Sequence, residues 1–284
     1  MQKFRRLLVY APFILSIITV MLLIGFFLEQ KESPLKVIFL DVGQGDAIFI
    51  QTPSKKQILI DSGPGPQILS ELGQVMLPWD RTIDMVIATH PDKDHIGGFP
   101  DVFDQYAISS VIDNGFNADK EIADDYESGV NDEHTQHITI NHPDAITLDD
   151  GVKLSFLRSI HDDIINENDG SIALRLDYGV SSFLFTGDAG VAVEFDLVKN
   201  QYDQLDVDVL KLGHHGSKTS SSELFLNATT PNMTVISAGL NNSYGHPHKE
   251  VMERLDFLKI PSMCTCSEGR ITFMSDGEVL EMRK

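Results

Sequence analysis

The densest chemistry in the chain lies in His90-Pro-Asp92-Lys-Asp94-His95-Ile-Gly-Gly98. Two imidazoles and two carboxylates within six residues offer nitrogen and oxygen donors to hard or borderline divalent cations. An apolar run, Met85–Thr89, precedes them and a glycine turn follows, so a strand end would present all four together. Burying so many ionisable groups without a counter-ion is costly. A solvated polar loop would account for the charges but not for the paired histidines and the Gly-Gly. Asp188 and the pair His214-His215 also follow apolar runs, so both can reach the sheet edge that receives His90, where side chains from separate strands surround one or two ions.

Positioning these groups requires strands. Lys36–Leu40 leads into Asp41-Val-Gly-Gln-Gly-Asp46, and Gln57–Ile60 into Asp61-Ser-Gly63. Ser182–Phe185 leads into Thr186-Gly-Asp188, Val207–Leu212 into Gly213-His-His215, and Thr234–Ile236 into Ser237-Ala-Gly239. Short apolar or β-branched runs that end in glycine-containing turns read as buried strands. Helices sit between them: Val251, Leu255 and Leu258 recur at helical spacing, and Val193 with Leu197 marks another after Asp188. The mixture predicts sheets covered by helices. Residues 113–150 are polar and acidic, and read as a loop-rich excursion with short strands bordering the site. Its histidines, His134, His137 and His142, read as solvent-facing rather than as ligands, because no strand end fixes them.

The 284 residues, 42% of them apolar, suffice for a sizeable core. Residues 1–32 stand apart. Lys3, Arg5 and Arg6 precede an uncharged run, Leu7–Leu28, closed by Glu29, Gln30 and Lys31. A helix of that length reaches roughly 33 Å, enough to cross a bilayer core, and the basic flank favours a cytoplasmic N-terminus. The run is long for a cleaved signal peptide and lacks a small-residue cleavage site, so it reads as a single-pass signal anchor. On that reading residues 33–284 form one domain outside the cytoplasm. Four of the 22 basic and two of the 42 acidic side chains lie in residues 1–32, which leaves residues 33–284 with a net charge of −22. Such a surface repels polyanions unless cations intervene, and it argues against tight metal-free nucleic-acid binding. Cys264 and Cys266 are too few for a disulfide framework and poorly spaced for an unstrained bridge; they read as half-buried strand positions.

The motifs resemble those of the hydrolase domain of ComEC-type competence proteins, within the metallo-β-lactamase superfamily. The resemblance rests on Phe39-Leu-Asp-Val-Gly-Gln-Gly-Asp-Ala47, Leu59-Ile-Asp-Ser-Gly63, His90–Gly98, Phe185-Thr-Gly-Asp188, Leu210-Lys-Leu-Gly-His-His-Gly-Ser217 and Tyr244-Gly-His-Pro-His248, and covers the chain from about residue 36 onward. It implies an αββα sandwich with a one- or two-metal site on one edge, holding zinc or manganese. His90, Asp92 and Asp188 would hold one ion; Asp94, His95, Asp188 and His214 the other, with Asp188 bridging. Asp92 stands where the wider superfamily has a histidine, a change that hardens the site toward Mn²⁺ or Mg²⁺. The third ligand histidine of the superfamily has no clear counterpart here: His161 is the nearest, and Asn168 matches the branch's own pattern.

His215, His246 or His248 could stabilise or protonate the leaving group, with Asp94 beside the reacting atoms. Ser217, Lys218 and Tyr244 are candidates for phosphate contacts. His246-Pro-His248 reads equally well as a polar helix-start loop. The implied activity is a phosphodiesterase acting on DNA or another phosphodiester. Two alternatives stay open: an esterase of envelope or choline-phosphate groups, and a non-catalytic anchored binding module, which the intact ligands argue against. No protein partner is indicated.

Overall fold

The computed structural model describes residues 10, 12–21, 33–115, 121–131, 135–157 and 167–283. It divides into two units, Met1–Ser33 and Pro34–Lys284. In the first, residues 12–21 are helical (α1), and the rest of the run expected to form an anchor lies, apart from residue 10, outside the described residues. Among the described residues no helix is long and apolar enough to cross a membrane.

The second unit holds two sheets. The first has the order β15-β14-β1-β2-β3-β4-β5-β6, built from β1 (Leu35–Phe39), β2 (Ile48–Gln51), β3 (Gln57–Ile60), β4 (Thr82–Ile87), β5 (Ala107–Asp113), β6 (Gln136–Thr139), β14 (Ile271–Ser275) and β15 (Leu280–Arg283). The second has the order β13-β12-β11-β10-β9-β8-β7, built from β7 (Asp144–Thr147), β8 (Lys153–Leu157), β9 (Ala173–Tyr178), β10 (Ser181–Phe185), β11 (Val209–Lys211), β12 (Met233–Ile236) and β13 (Ser262–Cys264). In each sheet four strands run parallel: β3 to β6 in one, β10 to β13 in the other.

The central strands are buried on both faces, which is why they read as continuous apolar runs rather than as alternating ones, whereas the edge strands β6, β7 and β15 are mostly exposed. Val37 and Phe39 pack between the sheets, whereas Ile38 and Leu40 pack outward under helices. The same alternation recurs at Val209 against Leu210 and Val235 against Ile236. The helices α2 (Gln67–Val75), α4 (Phe99–Gln105) and α5 (Glu121–Val130) supply Leu72, Val102 and Tyr126 to the outer cluster of the first sheet. On the second sheet α6 (Val191–Asn200), α7 (Glu223–Thr229) and α8 (Lys249–Leu258) do the same through Leu197, Phe225 and Leu255. Four layers result, helix–sheet–sheet–helix. Truncating a ring such as Phe39, fully buried between the sheets, would cost about 3–5 kcal/mol.

Two expectations need correction. Residues 113–150 are not mainly loop: Glu121–Val130 is a ten-residue helix whose Ala123, Tyr126 and Val130 are buried at helical spacing. Cys264 and Cys266 are joined as a disulfide, because the chain turns from β13 directly into the short helix α9 (Thr265–Glu268) and does not stay extended.

Candidate metal centre

Parallel strands deliver their following loops to one edge of a sheet. Asp61 follows β3, Ala88-Thr89-His90 follows β4, Gly187-Asp188 follows β10, and Gly213-His-His215 follows β11. Asp46 ends the turn between β1 and β2. That turn packs so closely on the short helix α3 (Lys93–Ile96) that a Cβ at Gly45, whose φ is +141°, would collide with the Asp94 carbonyl oxygen. Gly98 is needed for a like reason, since a side chain there would strike the Ser62 and Gly65 carbonyls.

The result is a buried group of Asp46, His95, Asp188 and His215, each at most 3% exposed, with one ligand-type atom apiece all within 4.8 Å of one another. His95 Nε2 lies 3.2 Å from Asp188 Oδ1, and His215 Nε2 lies 3.5 Å from Asp188 Oδ2 and 3.2 Å from Asp94 Oδ2. The His90 ring lies against that of His95, tilted by 53° with centroids 4.1 Å apart, and its Nε2 is 3.6 Å from Asp92 Oδ2. The far sides of the rings are held. His95 Nδ1 meets Asp61 Oδ2 at 2.8 Å, and the same oxygen accepts from the Thr89 hydroxyl. His215 Nδ1 meets the Ser237 carbonyl at 2.9 Å.

The charges are strongly interdependent. Burial alone would raise the Asp188 carboxyl, but the imidazoles of His215 and His95 hold it well below the usual carboxylate range. Burial opposes the charged imidazole of His95, yet Asp188 and then Asp61 push it well above its ordinary value. His215 behaves likewise, pushed up to about 9 by Asp188 and Asp46 against its burial. The Asp46 carboxyl is held low by the Lys211 ammonium, then by His215, against its burial. Asp94 is lowered, its burial outweighed by the close His215 imidazole and by the charge of His95. His214 and His246 go the other way. Burial lowers His214, and burial together with the charges of His215, His214 and His248 takes His246 down to about 4.

The test of whether this group suits a cation is its satisfaction. Nε2 of His90, of His95 and of His215, together with Asp188 Oδ1, are buried and make no hydrogen bond, while Asp46 Oδ1, also without one, lies at Nδ1 of His215. Orphaned buried atoms of ligand type converging on one place are costly unless something binds there. Nitrogen and carboxylate donors fit a borderline or hard divalent ion.

The structure brings His90, Asp92, Asp94, His95 and Asp188 together. Of the histidine pair it is His215 whose Nε2 enters the buried group. His214 sits at the rim, its side chain 28% exposed, with Nε2 3.6 Å from Asp188 Oδ2 and Nδ1 3.2 Å from the Thr219 hydroxyl. The reason is local: both histidines have left-handed backbone angles, φ 49° and 53°, which reverses the side-chain directions that an extended strand would give. His215 therefore lies beside Asp94 and Asp188, where the sequence reading had put it among the proton donors.

His246 lies over the pair, 5.6 and 6.0 Å from the rings of His214 and His215, and the exposed ring of Tyr244 stacks on it at 5.7 Å. His248 opens α8 and accepts the Lys218 backbone N–H at Nδ1. Ser217 is buried, its hydroxyl engaged with that of Thr219, and the Lys218 side chain is exposed. His142 is exposed and His137 pairs with Asp113, whereas His134 and His161 lie outside the described residues. Asn168 lines, with Asp169, Asp188, His214 and Thr219, an open cleft of about 670 Å³ beside the centre. Three contributors went unread in the sequence as site residues: Asp46, Asp61 and Lys211. Lys211 carried a signal, being a lysine inside an apolar strand run.

Residues 40–239 match the metallo-beta-lactamase superfamily. ComE operon protein 3 of Bacillus subtilis (strain 168) is 31% identical, over 92% of this chain and 35% of its own length. The competence protein ComA of Neisseria gonorrhoeae is also 31% identical, over 89% of this chain and 35% of its own. The chain thus spans about a third of the length of these curated relatives. Among solved structures, the metallo-beta-lactamase fold protein YhfI from Bacillus subtilis superposes with a TM-score of 0.58 at 13% identity, over 86% of this chain and all of that one. With its two sheets, its buried Asp–His group and a match that takes in most of its length, the chain belongs to the metallo-β-lactamase superfamily of metal-dependent hydrolases.

Proposed function

We propose that this chain is a membrane-anchored, metal-dependent phosphodiesterase that acts on DNA or another phosphodiester. The carrying observation is the convergence of the orphaned Nε2 atoms of His95 and His215 on Asp188, with the orphaned Nε2 of His90 beside Asp92, at the edge of an open cleft. Similarity to proteins named for competence supports a nucleic-acid substrate, and the apolar run behind Lys3, Arg5 and Arg6 supports an anchor with the catalytic domain outside the cytoplasm.

His90, Asp92 and Asp188 would hold one ion; Asp94, His95, His215 and Asp188 a second. A divalent cation bound there supplies Lewis acidity toward phosphoryl oxygens and makes water more acidic. It also adds positive charge at the point where a polyanion would enter a domain whose net charge is −22. The protein's own groups do the rest. Asp61 and the Ser237 carbonyl orient His95 and His215 through their Nδ1 atoms. His246 sits over the His214–His215 pair with its pKa drawn down to about 4 by burial and then by those neighbours, so its neutral ring can hydrogen-bond a substrate oxygen without giving up a proton. His248 is oriented by the Lys218 N–H at its Nδ1, so its neutral ring carries hydrogen on Nε2 and can hydrogen-bond a leaving oxygen there.

The purified chain, stripped of metal and reloaded, should hydrolyse bis-p-nitrophenyl phosphate in proportion to bound metal and should cut DNA. A metal-loaded protein that opens a lactone or a β-lactam but hydrolyses neither bis-p-nitrophenyl phosphate nor DNA would reject the assignment; cleavage of a choline-phosphate diester with DNA left intact would reject DNA as the substrate.

A further inference from the structure

Lys211 is fully buried at the end of β11, four residues before His215. A lysine ammonium out of water is expensive unless it is paired. Here it forms an ion pair with Asp46 and donates to the Gly187 carbonyl at 3.3 Å. One cation thereby ties the turn after β1, in the first sheet, to the residue that precedes Asp188, in the second. Asp46 is itself fixed by its backbone, which donates to the Asp94 carbonyl and accepts from Gly63 N–H.

Asp46 and Asp188 lie on opposite sides of the imidazole pair. Asp46 meets both rings at Nδ1, 3.2 Å from His215 and 3.9 Å from His95. Asp188 meets both at Nε2, 3.5 and 3.2 Å away. A cation that takes the two Nε2 atoms therefore lies on Asp188's side, with Asp46 behind the rings. Although Asp46 is close enough to the other three residues to be counted as a ligand by proximity, its Oδ2 is already committed to Lys211 and its Oδ1 faces a nitrogen that points away from Asp188.

We propose that Lys211 is the positioning residue of the centre: by clamping Asp46 and the Gly187 carbonyl it sets His215 and Asp188 for a divalent cation and keeps Asp46 out of the ligand set. This rests on the reading of His215 and Asp188 as metal-holding residues. The device differs from the one at His95, where Asp61 contacts Nδ1 at 2.8 Å and its other bonds come from Thr89. It makes the lysine in the apolar run part of the site rather than of the core.

The test compares Mn²⁺ binding, by calorimetric titration of the metal-stripped full chain, in wild type, Lys211→Met and the double variant Asp46→Asn/Lys211→Met. The double variant carries no unpaired buried charge, so it keeps the comparison readable if the single variant unfolds. Both variants should bind Mn²⁺ at least tenfold more weakly, and in the zinc-loaded, diamagnetic protein the ring ¹⁵N signals of His215 should lose the pattern of a fixed Nδ1–H tautomer. If Lys211→Met binds more tightly, Asp46 is a ligand waiting to be released and the proposal fails. A double variant with restored melting temperature and less than a tenfold loss overturns it too, leaving Lys211 a structural role. A wild type that takes up no Mn²⁺ overturns the metal reading and this proposal together.

Discussion

Among the described residues, two groups that combine aspartate with histidine use the same chemistry to opposite ends. At the end of β5, Asp113 Oδ2 takes the Tyr126 hydroxyl at 3.1 Å and His137 Nε2 at 2.8 Å, while Oδ1 takes the Gly115 N–H. None of these side-chain atoms is a buried orphan, and Tyr126 packs with Phe99 and Phe103 in the outer core. In the metal centre the Nδ1 atoms of His95 and His215 are bonded in the same manner, but every Nε2 is left over. A satisfied carboxylate–imidazole group pins one element to another. One that is satisfied on one side only presents the other side to a ligand. Residue type does not distinguish the two groups; the accounting of hydrogen bonds does.

The largest effect is expected at Asp188, whose two oxygens face His95 and His215. Asp188→Ala should abolish hydrolysis and strip metal while far-ultraviolet circular dichroism stays that of the wild type. Activity above a few per cent would reject its role. A smaller effect is expected at Asp92, beside His90 Nε2. Wild type should be activated better by Mn²⁺ than by Zn²⁺, and Asp92→His should move the ratio toward zinc by about tenfold, because imidazole softens the donor set. An unchanged metal profile would make Asp92 a residue that orients His90 instead.

The smallest effect belongs to the satisfied group. Tyr126→Phe should cost about 1–2 kcal/mol in denaturant unfolding, the loss of a hydrogen bond to a charged group, and leave Mn²⁺ binding unchanged. Burial, then the charge of Asp113, pushes the Tyr126 hydroxyl well above 10. A folded-state value above the unfolded one means stability that is whole below about pH 10 and is lost as pH rises toward the folded value. The Phe variant should lack this alkaline contribution. An alkaline unfolding curve identical in wild type and variant would contradict it.

How much of this was legible in the sequence divides along the same line. Strands buried on both faces write themselves as apolar runs, so β3 could be read at its observed bounds and β1, β10 and β12 to within a residue. Their chemical ends, His90, Asp188 and His214-His215, followed. The choice between His214 and His215 was not legible, because it depends on two consecutive left-handed residues that no periodicity encodes. Asp46 and Asp61 were visible in quoted motifs, but which nitrogen of which ring each would meet is a product of packing between the two sheets. The helix Glu121–Val130 was obscured by its acidic surface, although Ala123, Tyr126 and Val130 carried its buried stripe. The Cys264–Cys266 bridge was missed because the spacing was judged for an extended chain.

The central claim, that the half-satisfied group holds a divalent cation and the satisfied one does not, is tested most directly by titrating Mn²⁺ into metal-free wild type, His215→Ala and His137→Ala by calorimetry. Wild type and His137→Ala should bind alike, and His215→Ala should bind at least a hundredfold more weakly. Equal binding by all three proteins, or an equal loss in both variants, would contradict the account.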